Sequence, residues 1–77
     1  MSKKQIPPDP EDQNTDRADW ANVAIIAFRD HTNSDREDLL SDLLSDLMHW
    51  ADRNNCDFRS ELDRAFRNYD AETTGEP

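Results

Sequence analysis

The stretch Asp38 to Ala51, DLLSDLLSDLMHWA, constrains this chain more than any other. At the helical step of about 100° per residue, Leu39, Leu40, Leu43, Leu44, Leu47, Met48, Trp50 and Ala51 fall on one half of a cylinder. Asp38, Ser41, Asp42, Ser45, Asp46, His49 and Asp52 fall on the other half. A strand would alternate sides and mix leucines with aspartates on each face, so the spacing predicts an amphipathic helix.

What this helix packs against is limited by size. The chain has 77 residues, of which 34% are hydrophobic, and nearly all the large apolar ones lie between Trp20 and Tyr69. The folding unit is therefore about 55 residues, a length at which a single core is marginal. Cys56 is the sole cysteine, which excludes an internal disulfide and a Cys/His zinc set. Association with a second chain is the remaining remedy.

Eighteen acidic residues against nine basic ones give a formal charge of −9. Such a balance opposes direct binding to nucleic acid or an anionic membrane and suits a partner with a basic surface. The opening MSKKQIPPDP lacks the apolar core of a secretory signal, and no apolar run approaches the ~20 residues that span a bilayer. A cytoplasmic location is expected.

Taken in order, residues 1–15 carry Pro7, Pro8 and Pro10 among charges and read as a disordered tail. Asp16 is placed to cap a first helix over about 17–31, with an apolar arc of Trp20, Ala21, Val23, Ala24, Ile25, Ala27 and Phe28. Ser34-Asp35-Arg36-Glu37 has the form of a capping box and sets the start of the second helix, about 35–54. Asn54-Asn55 suits its left-handed end. Asp57 caps a third helix, about 58–70, on which Phe58, Leu62, Ala65, Phe66 and Tyr69 form a stripe. Residues 71–77, with Gly75 and Pro77, read as a frayed tail, leaving 16–70 as the helical domain. Short links predict an all-α, up-down-up unit. The apolar arcs of its first two helices are too wide for one neighbour, so two copies would close into a larger bundle as a homodimer. Trp20, Ile25, Phe28, Leu39, Leu43 and Leu47 are the expected dimer contacts.

The polar side of the second helix is the candidate binding surface. Asp38, Asp42 and Asp46 recur four apart, with His49 and Asp52 following, so all project from neighbouring turns. Trp50 borders this acidic face and is the aromatic suited to anchor a partner. Three readings compete: a solvated face, an acidic patch for a basic partner, and a Mg²⁺ site of one or two carboxylates. His49 is expected to be exposed, pairing with Asp46 or Asp52, and catalysis would need a convergent group that one helix does not supply. Cys56, in the turn before the third helix, is expected to be a small buried apolar residue rather than a reactive thiol. Arg59, Arg64 and Arg67 are offset by Asp57, Glu61, Asp63 and Asp70, which disfavours a helix-turn-helix reading of the Asn54-Asn55-Cys56 junction.

The run Asp42-Leu43-Leu44, followed by Leu47, Ala51, Asp57, Leu62, Ala65 and Tyr69, resembles the later half of MazG-like all-α nucleoside triphosphate pyrophosphohydrolases over about residues 38–70. That family holds Mg²⁺ with an E-x-x-E pair on one helix and an E-x-x-D pair on the next. Asp42 matches the final aspartate, but Leu39 stands where the preceding glutamate belongs, and the first helix offers only Asp16 and Asp19 at its start. The resemblance thus implies a dimeric helical scaffold without the catalysis. The chain also looks like the small acidic proteins carried by phages and mobile elements. The expectation is a non-enzymatic helical protein, without cofactor or metal, that binds another protein. Its acidic face, Asp38, Asp42, Asp46, His49, Trp50 and Asp52, would block a host nucleic-acid-binding or defence protein. The alternative is a divergent MazG-like, Mg²⁺-dependent pyrophosphohydrolase.

Overall fold

The computed structural model describes residues 6–74 and contains three helices: α1 (Asn14–Thr32), α2 (Leu39–Arg53) and α3 (Phe58–Thr73). No strand occurs among the described residues, and the all-α class follows. No helix is long and apolar enough to cross a membrane.

Helix α1 begins earlier than the sequence predicts, and Asp16 does not cap it. Asp9 performs that role from outside the helix: its Oδ1 accepts the Gln13 amide at 3.1 Å, and both its oxygens accept the Asn14 amide at 3.2 Å. The reach is possible because the chain turns tightly between them, with the Asp12 amide donating to the Asp9 carbonyl at 3.1 Å and Asp12 itself left-handed. The segment before α1 is therefore tied to the helix by a carboxylate on orphan amides at the positive end of its dipole. At the far end Asn33 takes the left-handed conformation and its amide closes on the Arg29 carbonyl at 2.8 Å.

Helix α2 begins at Leu39, later than the expected Asp35, and the Ser34 capping box does not form. The Ser34 hydroxyl is engaged instead with the Thr32 hydroxyl at 3.1 Å, at the end of α1. Residues 36–38 form a tighter turn, in which the Asp38 amide donates to the Asp35 carbonyl at 3.0 Å. Asp38 precedes the helix with nearly helical angles, and its carboxylate caps no amide. The end of α2 follows the sequence. Asn55 is left-handed, and the Cys56 amide reaches back to the Ala51 carbonyl at 3.0 Å, the long-range bond of a Schellman ending. Asp57 then caps α3 as predicted, its Oδ1 accepting the Ser60 amide at 3.2 Å. The helix runs past Asp70 to Thr73, whose hydroxyl donates to the Tyr69 carbonyl.

The helices form the sides of a triangle rather than an up-down-up bundle. In such a bundle the end of α3 would lie beside the end of α1. Here it lies beside the beginning of α1: Asn14 Nδ2 donates to the Glu72 carbonyl at 2.9 Å, and Arg17 Nε stands 3.4 Å from a Glu72 carboxylate oxygen. Burial follows the corners. Ile25, Phe28, Ser34, Leu39, Asp42 and Leu43 are half-buried where α1 leads into α2. Ala51 and Phe58 are covered where α2 leads into α3, and Asp9, Asn14, Arg17, Glu72 and Thr73 are half-buried at the third corner.

The middles of the sides are bare. Ala51, 3% exposed, is the only buried residue among those described. Folded chains of this mass expose about 4,900 Å²; this one exposes 7027 Å². Crediting the residues outside 6–74 with full exposure still leaves an excess of about 1,200 Å². The radius of gyration, 14.5 Å, likewise exceeds the roughly 11.5 Å of a compact chain of this length. Among the described residues the core amounts to Ala51.

Candidate functional site

On α2 the helical repeat places Asp38, Asp42 and Asp46 one turn apart along the polar face, with His49 and Asp52 continuing toward the C-terminus. Asp38, Asp46, His49 and Asp52 are exposed, and Asp42 is half-buried beside the first corner. None of the four aspartates is ion-paired among the described residues. Three arginines pair elsewhere: Arg17 with Glu11 and Glu72, Arg29 with Asp30, and Arg64 with Glu61 at 2.6 Å. The His49 ring pairs with neither Asp46 nor Asp52, contrary to expectation; only its backbone carbonyl is engaged, by Arg53 at 3.3 Å. Trp50 lies one turn beyond Asp46 and is 57% exposed, as an anchor at the edge of an acidic face would be.

The residues expected at a dimer contact divide. Ile25, Phe28, Leu39 and Leu43 are partly engaged within the chain, at the corner between α1 and α2, while Trp20 (67% exposed) and Leu47 are open. The apolar surface left over is different and larger: Leu40, Leu44, Leu47 and Met48 on α2, and Leu62, Phe66 and Tyr69 on α3, are all exposed. The helical pattern contained these positions, but it did not say which part of each wide arc the neighbouring helix would cover.

Cys56 is exposed rather than buried, because the left-handed Asn55 turns the chain outward there; its thiol lies 3.6 Å from the Asn54 carbonyl oxygen. Arg17 went unnoticed in the sequence. Its guanidinium joins Asn14 Oδ1 at 2.6 Å, Glu11 and Glu72, binding the N-terminal segment, α1 and α3 together. The one signal available was its spacing of three from Asn14 on a single helix face.

Two open grooves flank the triangle. The larger, about 610 Å³, runs between Ile6 and Pro7, the start of α1 and Tyr69 of α3. Of its carboxylates Asp9, Asp19 and Glu72, Asp9 caps α1 and Glu72 holds Arg17. The smaller, about 400 Å³, lies between Ile25 and Ile26 of α1 and Leu39 and Leu40 of α2, with Arg29 and Arg36 at its rim.

The Mg²⁺ implied by the MazG-like resemblance can be tested on the donors. Among the described residues no three His, Cys, Asp or Glu side chains converge on a point that could hold a metal ion. Asp42 stands beside Leu39 and Leu43, with no second carboxylate pair brought to it from α1, whose middle is apolar. The residues do not fit the two-pair cation site of that family.

No protein-family model, no curated protein and no solved structure matches the chain.

Proposed function

We propose that this chain is a non-enzymatic association protein, folded as a homodimer, whose helix α2 presents an acidic face to a basic surface on another protein. The observation that carries the reading is the row Asp38, Asp42, Asp46 and Asp52, running from the residue before α2 to its last turn without ion-pair partners and bordered by the exposed Trp50. Intramolecular pairing would have lowered their value to a partner. Left unpaired, they steer a basic surface by long-range attraction and fix its register on contact. Trp50 supplies the apolar area that slows release. The basic surface best matched by a straight acidic helix is a nucleic-acid-binding groove, and occupying it would inhibit that partner.

The test compares two triple variants of equal charge change. Asp38→Asn with Asp42→Asn and Asp46→Asn removes the face; Glu37→Gln with Asp63→Asn and Asp70→Asn removes three acids outside that row. Affinity for a basic partner recovered by capture is measured for each, with the partner's nucleic acid as competitor. The first triple should weaken binding at least about tenfold and the second by much less. Equal affinities in all three proteins would reduce the face to a solvated surface.

A further inference from the structure

The exposed apolar residues are not scattered. On α2, Leu40, Leu44, Leu47 and Met48 share an azimuth whose middle is Ala51, the residue buried at the corner with α3. On α3, Leu62, Phe66 and Tyr69 share an azimuth with Phe58, half-buried at the same corner. Each stripe is covered at the turn and exposed beyond it: Ala51 is 3% exposed but Met48 is 50% and Leu40 62% exposed on α2, and Phe66 is 59% exposed on α3. The two helices splay, and their stripes form one continuous face opening from that corner.

We infer that a second copy of the chain covers this face, so that the dimer is built on α2 and α3 while the tryptophan-bearing flank of α1 stays outside it. The inference rests on the homodimer proposed above and names its surface. Two observations select a second copy as the occupant. The first is area. One chain exposes about 1,200 Å² beyond a compact chain of the mass of residues 6–74, an excess spread over the segment before α1 and all three helices, and an interface of roughly 800 Å² per partner would take up much of it. The second is charge. The chain carries −9, yet Leu40, Leu44, Leu47, Met48, Leu62, Phe66 and Tyr69 include no charged residue, and Ser41 and Ser45 rim the α2 side. Two identical copies meet across a two-fold axis, so each charge near the axis would face its own like. Charge enters this face at its two ends, where Leu40 borders the groove rimmed by Arg29 and Arg36 and Tyr69 borders the groove holding Arg17 and Glu72, so its middle can be paired with itself, whereas a basic partner would leave it uncompensated.

The experiment measures the dimer dissociation constant by sedimentation for the full chain and for two double variants, Leu44→Ala with Phe66→Ala, and Trp20→Ala with Val23→Ala. Alanine keeps the helices favourable, so the change reports the lost contact area. The first pair should raise the constant by about tenfold or more, and the second should leave it within about threefold. If the first variant unfolds on dilution, the concentration at which its helical circular dichroism returns gives the same constant. If it folds at no concentration, single Leu44→Ala replaces it, with a weaker shift in the same direction. A larger effect from Trp20 and Val23, or none from Leu44 and Phe66, overturns the surface while leaving the homodimer standing. A wild-type chain that is a folded monomer at about 100 μM overturns the homodimer itself.

Discussion

A carboxylate that caps a helix from five residues away gives this chain its most consequential local contact. Asp9 accepts amides of Gln13 and Asn14, so Asp9→Ala should cost about 1 kcal/mol of stability, measured by urea unfolding at fixed protein concentration. Ser34→Ala, by contrast, removes only a hydroxyl contact with Thr32 and should stay within about 0.5 kcal/mol of wild type. The pair of results decides which residue starts which helix. Asn55 gives a second comparison. It sits at φ 58°, a conformation whose cost for most side chains is about 1 kcal/mol or more, so Asn55→Ala should destabilise by that amount and Asn55→Gly should not. Asn55 and the Asp57 cap were readable from residue type alone, since each acts on amides and carbonyls within five residues of itself. The Asp9 cap was not readable, because it depends on Asp12 accepting a left-handed angle that few sequences announce.

At the scale of elements, the periodicity of α2 and α3 carried their existence, their type and their apolar faces. It could not carry their arrangement. Short links are compatible with antiparallel neighbours or with corners, and the choice here is expressed in a contact between residues 58 apart, Asn14 and Glu72. That contact joins a side-chain amide to a carbonyl near the end of α3, where carbonyls lack intrahelical partners. Arg17 adds an ion pair that is about a third exposed, so its strength is limited by solvent and salt. Opening this corner should therefore be a local event. In the double variant Asn14→Ala with Glu72→Ala, which removes both the hydrogen bond and the ion pair, the amides at the C-terminal end of α3 should exchange with deuterium several-fold faster than in wild type, while the exchange of Ala51 and its neighbours stays unchanged. Arg64→Ala, which breaks a shorter but more exposed pair with Glu61, should alter neither region. An acceleration that spread to Ala51 would show that the corners of the triangle open as one unit.

At the scale of the whole molecule, an acidic surface and an exposed apolar face on α2 and α3 lie on one chain. The candidate binding face was legible because aspartates recur at a helical step. The face proposed for self-association was only partly legible, because the sequence shows how wide an apolar arc is but not which strip of it a neighbour will leave bare. These two surfaces answer oppositely to salt. Two copies each carrying −9 repel one another as they approach, and an uncharged contact adds no attraction that ions could screen. Raising sodium chloride from about 0.01 M to 1 M shortens the Debye length from about 30 Å to about 3 Å, so the dimer should tighten. Docking of the acidic face on a basic partner depends on the attraction that salt removes, so its on-rate should fall over the same range. Dissociation, governed by the area around Trp50, should change far less. Sedimentation of the chain alone and association kinetics with the basic partner, taken across one salt series, check both. A dimer that loosens with salt would place ion pairs across its interface and move that interface away from Leu44 and Phe66. An on-rate indifferent to salt would remove the aspartates of α2 from the encounter, whatever the partner proves to be.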